Sequence, residues 1–451
     1  MAQTRTRKSP PGIRVVAVSA LATLLFLSIA APPAAARGPS RLSVNRRNQQ
    51  AFRVQGAHTY GARLEPASRT AVEQSSGTRV GIDVWRDRGF APLAGKRIGL
   101  ISNLTGRDSR GQLTAQVLGA EPAVELVAIF SPEHGFRGVE EGRVDSGSDA
   151  VTGLPIHSLY GETRRPTGEM LAGLEGLVFD IQDIGTRFYT YATTLAYAME
   201  EAAAHGLPIV VLDRPNPIAG IHVQGPVLDE GELSFVGYAP IPLRHGMTMG
   251  ELARYFNEER GIGADLTVVE TTGWRRADWY DATGLQWVNP SPNMRNLAQA
   301  TLYPAVGPLE TTNVSVGRGT DEPFEWFGAP WIDALRLAKK LNDAGLPGLR
   351  FVPRDRTPEA SIHAGELCHG VDLILTDRDA FAAGLTAITL AAALHELHGE
   401  AWEIERFPRL WGRPEVVDQL RSGLSPTEIA ASWEPELAAF LEIRQRYLLY
   451  E

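Results

Sequence analysis

Four apolar runs in a row end on polar, ionisable residues, and that repeated hand-over constrains the fold of this chain more than any other feature. Arg97–Ser102 leads into Asn103-Leu-Thr-Gly106, and Val124–Phe130 into Ser131-Pro-Glu-His-Gly135. Leu177–Phe179 leads into Asp180-Ile-Gln-Asp-Ile-Gly185, and Ile209–Leu212 into Asp213-Arg-Pro-Asn-Pro217. Short continuous apolar runs are the pattern of strands buried on both faces. Between them lie the helix-forming stretches Gln112–Leu118, Thr167–Leu171 and Thr190–His205, the last closed by Gly206; glycine just past the last periodic residue is a helix stop. This alternation predicts βαβ units, hence an α/β fold with a Rossmann-like parallel sheet. Such sheets bind ligands beyond the carboxyl ends of their strands. A chain that gathers acids, a histidine and an arginine there is building a site.

At 451 residues the chain exceeds one ordinary core. The expected division is a signal peptide over 1–36, a disordered or loosely attached linker over 37–78, a Rossmann-like catalytic domain over 79–278 and a smaller α+β C-terminal domain over 279–451. In the last, strands are expected at Leu349–Val352 and Val371–Leu375 and a helix at Phe381–His398. Thr248-Met-Gly-Glu251 and Ser425-Pro-Thr-Glu428 are capping boxes that start helices. Residues 284–331, rich in Pro, Gly, Asn and Trp, read as structured loops, which commonly carry function. A net charge of −9 excludes a nucleic-acid partner, which would demand a basic excess.

The leader has a basic start (Arg5, Arg7, Lys8, Arg14), an apolar run over Val15–Ala31 and an A-x-A site at Ala34-Ala-Ala36. That is the pattern of a secretory signal, which implies an exported protein with no lasting membrane insertion. An uncleaved anchor is the competing reading. The lone Cys368 cannot form an intramolecular disulfide and reads as a small buried residue.

Absent motifs narrow the chemistry. No G-x-G-x-x-G follows a strand, so no dinucleotide cofactor is expected, and no G-x-S-x-G elbow is present. His395-Glu-Leu-His398 is one residue short of a zinc motif, so neither a metal nor any other cofactor is expected. What remains is carboxylate-rich: Glu133, Asp180, Asp183 and Asp213, beside His134, Tyr160, Arg187, Arg214 and Asn216. Paired carboxylates in a cleft suit glycoside hydrolysis, in which one acid protonates the leaving oxygen and a second group stabilises or attacks the anomeric carbon. Structural roles compete at each position. Glu133 could pair with Arg137, Asp180 and Asp183 could cap the following helix or hold Arg187, and Asp213–Arg214 could be a plain ion pair.

Six longer segments carry a resemblance: Ser131-Pro-Glu-His-Gly-Phe-Arg-Gly138, Phe179-Asp-Ile-Gln-Asp-Ile-Gly185, Leu212-Asp-Arg-Pro-Asn-Pro217, Arg244-His-Gly-Met-Thr248, Pro290-Ser-Pro-Asn-Met294 and Ser315-Val-Gly-Arg-Gly-Thr320. Together, and in that order, they resemble the exo-β-N-acetylmuramidase family, once catalogued as a domain of unknown function. The resemblance runs from about Gly81 to Tyr447-Leu-Leu-Tyr450. One departure is Pro292-Asn-Met-Arg-Asn296, where the family has Pro-Asn-Met-Pro-Thr.

The resemblance implies an exported glycoside hydrolase that releases β-1,4-linked N-acetylmuramic acid from non-reducing ends of peptidoglycan fragments. It also implies a Rossmann-like domain, a smaller C-terminal domain and a cleft between them. The family's catalytic glutamate maps onto Glu133, with Asp180 and Asp183 as candidates for its partner. Candidates for substrate binding are His134, Tyr160, Arg187, Arg214, Asn216, His245, Asn293, Asn313 and Arg318.

Muramic acid carries a lactyl carboxylate that N-acetylglucosamine lacks, and an arginine fork suits it. Arg187, Arg214 and Arg318 are the candidates, although Arg318 between two glycines could instead brace its loop. Trp274, Trp287, Trp326 and Trp331 could stack on sugar rings or fill core. A non-catalytic peptidoglycan-binding protein, and an esterase or amidase built on Ser131, remain alternatives.

The leader generates the first prediction: mass spectrometry of protein from the producing cell should find a mature N-terminus near Arg37. Intact Met1 in a cytoplasmic fraction would overturn it.

Overall fold

The computed structural model describes residues 77–451. The expected leader and all but the last two residues of the expected linker therefore lie outside the described residues. Thr78 is already buried, its amide donating to the Thr283 carbonyl and its hydroxyl to that of Gly273.

A seven-stranded sheet organises the first half. Its strands are β1 (Arg97–Ser102), β2 (Glu125–Ser131), β3 (Gly147–Ser148), β4 (Pro155–Ser158), β5 (Gly176–Asp180), β6 (Ile209–Leu212) and, after a two-stranded ribbon of β7 (Gln224–Val227) and β8 (Pro242–Arg244), β9 (Leu266–Val269). The spatial order is β3-β4-β2-β1-β5-β6-β9, with every pairing parallel except that of β3, a two-residue antiparallel edge. The chain builds outward from β1 through β2 to β4, then returns to β5 on the other side of β1. The topological switch point thus lies between β1 and β5.

Helices follow the strands as the sequence pattern requires. They are α1 (Gly81–Asp87), α2 (Thr114–Gly119), α3 (Gly168–Leu171), α4 (Tyr191–Ala204) and α5 (Met249–Glu259), the last opened by the Thr248/Glu251 capping box. Strand alternation shows why the runs are continuously apolar. Leu177, Phe179, Ile209 and Val211 join the core under α4 and α5, while Val178, Val210 and Leu212 join the one under α1 and α2. Both faces are dry, and each buried aliphatic side chain contributes about 1.5–3 kcal/mol.

The smaller C-terminal domain pairs α6 (Leu297–Val306), α7 (Ala334–Asp343) and α8 (Ala383–His398) with an antiparallel sheet. Its strands are β10 (Trp326–Ala329), β11 (Leu349–Arg356) and β12 (Cys368–Leu375), in the order β10-β12-β11. Short helices follow at Pro408–Trp411, Val416–Arg421, Pro426–Ser432 and Glu434–Arg444. One apolar cluster runs unbroken from Phe179 and Leu195 to Leu337, Val371 and Trp411, so the two halves share a core.

The reading of 284–331 as loops is corrected by α6 and β10. Helix α6 is buried nearly all round, which erases amphipathic periodicity. Pro304 inside it further disguises it, whereas Asn296 caps it by accepting the Gln299 amide at 2.8 Å. Cys368 is buried as expected.

Gly99, in the middle of β1, marks a close strand–side-chain approach: a Cβ there would sit 2.6 Å from Phe130 and 2.9 Å from Leu174. Gly99→Ala should overpack the sheet by about 1–3 kcal/mol. It should lower the urea midpoint at unchanged m-value; an unshifted midpoint would show that β1 has room for a methyl group.

Candidate active site

Glu133 is placed by a turn that its sequence makes sharp. Strand β2 ends at Ser131, and Pro132 stiffens the exit. His134 and Gly135 then both adopt left-handed backbone, with φ of 70° and 72°. For His134 that conformation costs energy, and strained backbone of this kind concentrates at functional sites. Its ring supports the turn, with Nδ1 2.8 Å from the Glu140 carbonyl. The turn leaves Glu133 half-buried at the start of α4, where the Thr190 hydroxyl donates to its Oε2 at 2.6 Å.

Glu133 faces a cavity of about 780 Å³ between the carboxyl end of β2 and the C-terminal domain. Tyrosines dominate the wall around it. Burial, and then the adjacent Glu133 carboxylate, pushes the Tyr160 phenol up to about 12. Burial likewise pushes Tyr189 and Tyr303 well above the ordinary phenol range, so both stay protonated donors. Tyr189 stands edge-on between Tyr191 and Tyr303. Its hydroxyl and that of Ser291 stand on the same wall.

Arg318 enters the cavity from the loop before β10, flanked by Gly317 and Gly319. Burial opposes its charge, but the Glu310 carboxylate at 2.6 Å more than restores it and holds Arg318 above its usual range. Arg164, Arg406 and Arg409 also line the cavity, and Arg164 lies over the Phe235 ring at 4.2 Å.

Of the residues singled out in the sequence, Glu133, His134, Tyr160 and Arg318 meet in this cavity. The others do not reach it. Asp180 is fully buried, its oxygens accepting from Arg214 Nε at 2.5 Å, Arg214 Nη2 at 2.9 Å and the Thr114 hydroxyl at 2.5 Å. Asp180 and Arg214 therefore form a structural ion pair, correcting their assignment to catalysis and substrate binding. Asp213 is held separately, by Thr248, Gly250 and Tyr450.

Arg187 is corrected in the same way. Its Nη1 donates to the Pro226 and Ile241 carbonyls and its Nη2 to those of Leu410 and Trp411, and burial alone lowers it to about 9. A guanidinium fixed by four carbonyls does not reach a substrate carboxylate. Asn216 bridges the Met247 carbonyl and the Ile218 amide. Asn313 bridges Ala401 and Glu403, and Asn293 donates to Glu141 at 2.8 Å. Asp183 and His245 form a buried pair with Nε2 and Oδ2 3.9 Å apart. Trp274 and Trp326 are core, while Trp287 and Trp331 pack against core, and none lines the cavity. Ser131, which the esterase alternative requires, is fully buried and its hydroxyl has no partner. Among the described residues no group of three or more His, Cys, Asp or Glu could hold a metal ion.

Sequence reasoning missed the aromatic wall and three of the arginines, Arg164, Arg406 and Arg409. Phe188-Tyr-Thr-Tyr191, directly after the Asp180–Gly185 segment, was the available signal for the wall. Arg406 and Arg409 carry none, because a distant segment, the 3-10 turn Ile404–Arg406 and the helix Pro408–Trp411 after it, brings them in.

Comparison with known proteins agrees with this architecture. Residues 98–298 match the family model described as exo-beta-N-acetylmuramidase NamZ, N-terminal, and residues 301–450 match the corresponding C-terminal model. The chain is 45% identical over 394 residues to the peptidoglycan beta-N-acetylmuramidase NamZ of Bacillus subtilis, covering 86% of this chain and 95% of that one. Two solved DUF1343 family proteins of Bacteroides fragilis superpose with TM-scores of 0.77 and 0.70 at 37% and 34% identity. Each covers 83% of this chain and is itself covered over 99% of its length.

The Asp183–His245 pair generates a pH prediction. Burial pushes Asp183 up to about 7 against the amides of Gly185 and Ile184. Burial, then Arg444, Arg187 and Arg244, lowers His245 to about 3. A carboxyl raised from about 3.9 in the unfolded chain holds its proton better when folded. The contribution of Asp183 to stability therefore falls as pH rises from about 4 through about 7. Urea unfolding at pH 5 and pH 8 should show a larger loss for the wild type than for Asp183→Asn. The His245 contribution, of opposite sign, is common to both proteins, so equal losses would sink the assignment.

Proposed function

The chain belongs to the exo-β-N-acetylmuramidase family, and from that membership we propose that its Glu133 cavity hydrolyses the β-N-acetylmuramide bond of peptidoglycan fragments. It releases β-1,4-linked N-acetylmuramic acid from their non-reducing ends. The observation that carries the assignment of the site is one carboxylate, Glu133, fixed by the Thr190 hydroxyl on the wall of a cavity that also holds Arg318. A cavity of about 780 Å³ suits a terminal sugar and its neighbour, within the usual range of small-ligand pockets.

Glu133 is the general acid/base. As the acid it delivers a proton to the glycosidic oxygen as the bond to the anomeric carbon breaks, and it then takes a proton from the incoming water. The neutral phenols of Tyr160 and Tyr189 offer hydroxyl donors around the reacting sugar. Glu141 and Glu310 are carboxylates of the same wall, and a second acid for the reaction comes from these rather than from Asp180, whose oxygens are taken up. Arg318, braced by Glu310, pairs with the lactyl carboxylate. This replaces the wider choice of Arg187, Arg214 or Arg318.

We propose further that the enzyme works outside the cytoplasm. The basic n-region, apolar run and A-x-A site of the leader support this, as does a cell-wall substrate. Among the described residues no helix is long and apolar enough to cross a membrane.

Two experiments test this reading. Glu133→Gln keeps the shape but cannot transfer a proton, so turnover of an aryl N-acetylmuramide should fall by about 10²–10⁴ with the thermal midpoint little changed. Near-full activity would remove Glu133 from the chemistry.

The second concerns selectivity. The wild type should prefer the muramide over the matching N-acetylglucosaminide by about 10–100-fold, as expected of one added charge-assisted contact between the lactyl carboxylate and Arg318. Arg318→Ala should slow muramide turnover and narrow that gap. Equal hydrolysis of both sugars by the wild type would indicate a generic hexosaminidase, and hydrolysis of neither a binding protein.

A further inference from the structure

A second crevice, separate from the Glu133 cavity, lies at the switch point between β1 and β5. It is about 150 Å³ in volume, and its wall includes Thr105, Arg107, Arg110 and Arg214. Tyr280, whose phenol donates to the Gln286 carbonyl at 3.1 Å, is part of the same wall. In open α/β sheets this is where ligands bind, because the loops after β1 and β5 part there. In this chain the catalytic cavity has moved to the end of β2, leaving the switch point to another use.

The chemistry of the wall is strongly cationic. Arg214 is 5% exposed, and Asp180 and the Arg107 carbonyl hold its Nε and Nη2, so its Nη1 has no partner among the described residues. Arg107 is fixed by the Leu104 and Gly111 carbonyls through Nε and Nη1, leaving Nη2 without one. Arg110 is exposed at the rim. The carboxylate on this wall, Asp108, is already occupied: it accepts from Arg86 and from the amides of Arg110 and Gln112. Three guanidinium groups thus line a small volume; Asp180 balances Arg214 and Arg86 balances Asp108, which leaves the charges of Arg107 and Arg110 and the free Nη1 of Arg214 for a ligand. Convergent, prefixed guanidinium donors match a tetrahedral oxyanion, which presents acceptor oxygens in several directions, better than a planar carboxylate with two.

We propose that this crevice binds a small phosphate-type oxyanion, either free phosphate or the phosphate of a monoester. Occupation ties the loop after β1 to the loop after β6, so the ligand stabilises the fold.

The test is thermal unfolding of the full chain with sodium phosphate titrated at constant ionic strength. A bound ligand raises the midpoint saturably, whereas screening does not. The wild type should respond. Arg110→Glu, at an exposed position, should weaken the response by about 10-fold or more, as expected for loss of a charge-assisted contact. Arg107→Gln should weaken it too. Arg409→Glu, which alters the Glu133 cavity, should leave it intact. Glucose 6-phosphate run in parallel separates the two sources: a tighter response than phosphate identifies a monoester, and a weaker one the free ion. No saturable response in the wild type, an undiminished one in Arg110→Glu, or its loss in Arg409→Glu would each overturn the proposal. None of these outcomes bears on Glu133→Gln turnover, so this site and the hydrolase reading fail independently.

Discussion

The buried pair of Asp180 and Arg214 is the interaction on which the rest of the molecule depends. It sits at the ends of β5 and β6, and the Thr114 hydroxyl and Arg107 carbonyl extend it to the loop after β1. Taking two ions out of water costs several kcal/mol each, and the attraction repays that only with near-ideal geometry and every remaining hydrogen bond made. Both Asp180 oxygens and the Arg214 Nε and Nη2 are satisfied here, with only Nη1 left over, so the pair ties the three strand ends to one another. The turn from Asp180 to Gly185 then has a fixed direction. It carries the chain to Thr190, the residue that holds Glu133.

Arg187 performs the corresponding task between the halves of the molecule, without a carboxylate. It gathers carbonyls from the β7–β8 ribbon and from the end of the Pro408–Trp411 helix. Helix ends leave carbonyls unsatisfied, and a cation there is favourable. By fixing that helix, Arg187 also fixes where Arg409 projects, and so shapes part of the wall of the Glu133 cavity. The charge that looked like a substrate clamp acts instead by positioning other charges.

This division of labour explains why so few of the chemically suggestive residues meet substrate. Buried polar groups are costly unless satisfied, so a chain that places many of them at strand ends must also pair them. Asp213, Asn216 and Asn313 are consumed in that way, each bridging segments distant in sequence. The cavity keeps the residues that the pairing leaves over: a glutamate, tyrosines held neutral by burial, and an arginine with one braced edge.

The amino-acid sequence by itself determined the parallel sheet, because apolar runs of strand length alternating with capped helices admit little else. It also determined Glu133, because the Pro132 and Gly135 around it prescribe a turn whatever the rest of the chain does. Helix α6 was illegible, since burial on all sides removes the periodicity by which a helix shows itself. The roles of the arginines were illegible for a different reason. Arg187, Arg214 and Arg318 are chemically identical as letters. What separates them is whether four carbonyls, a buried aspartate or a half-exposed glutamate stands beside each. Those partners lie from 34 to 224 residues away for Arg187 and Arg214 or, for Arg318, across a loop, so only the tertiary structure could decide which guanidinium lines the cavity.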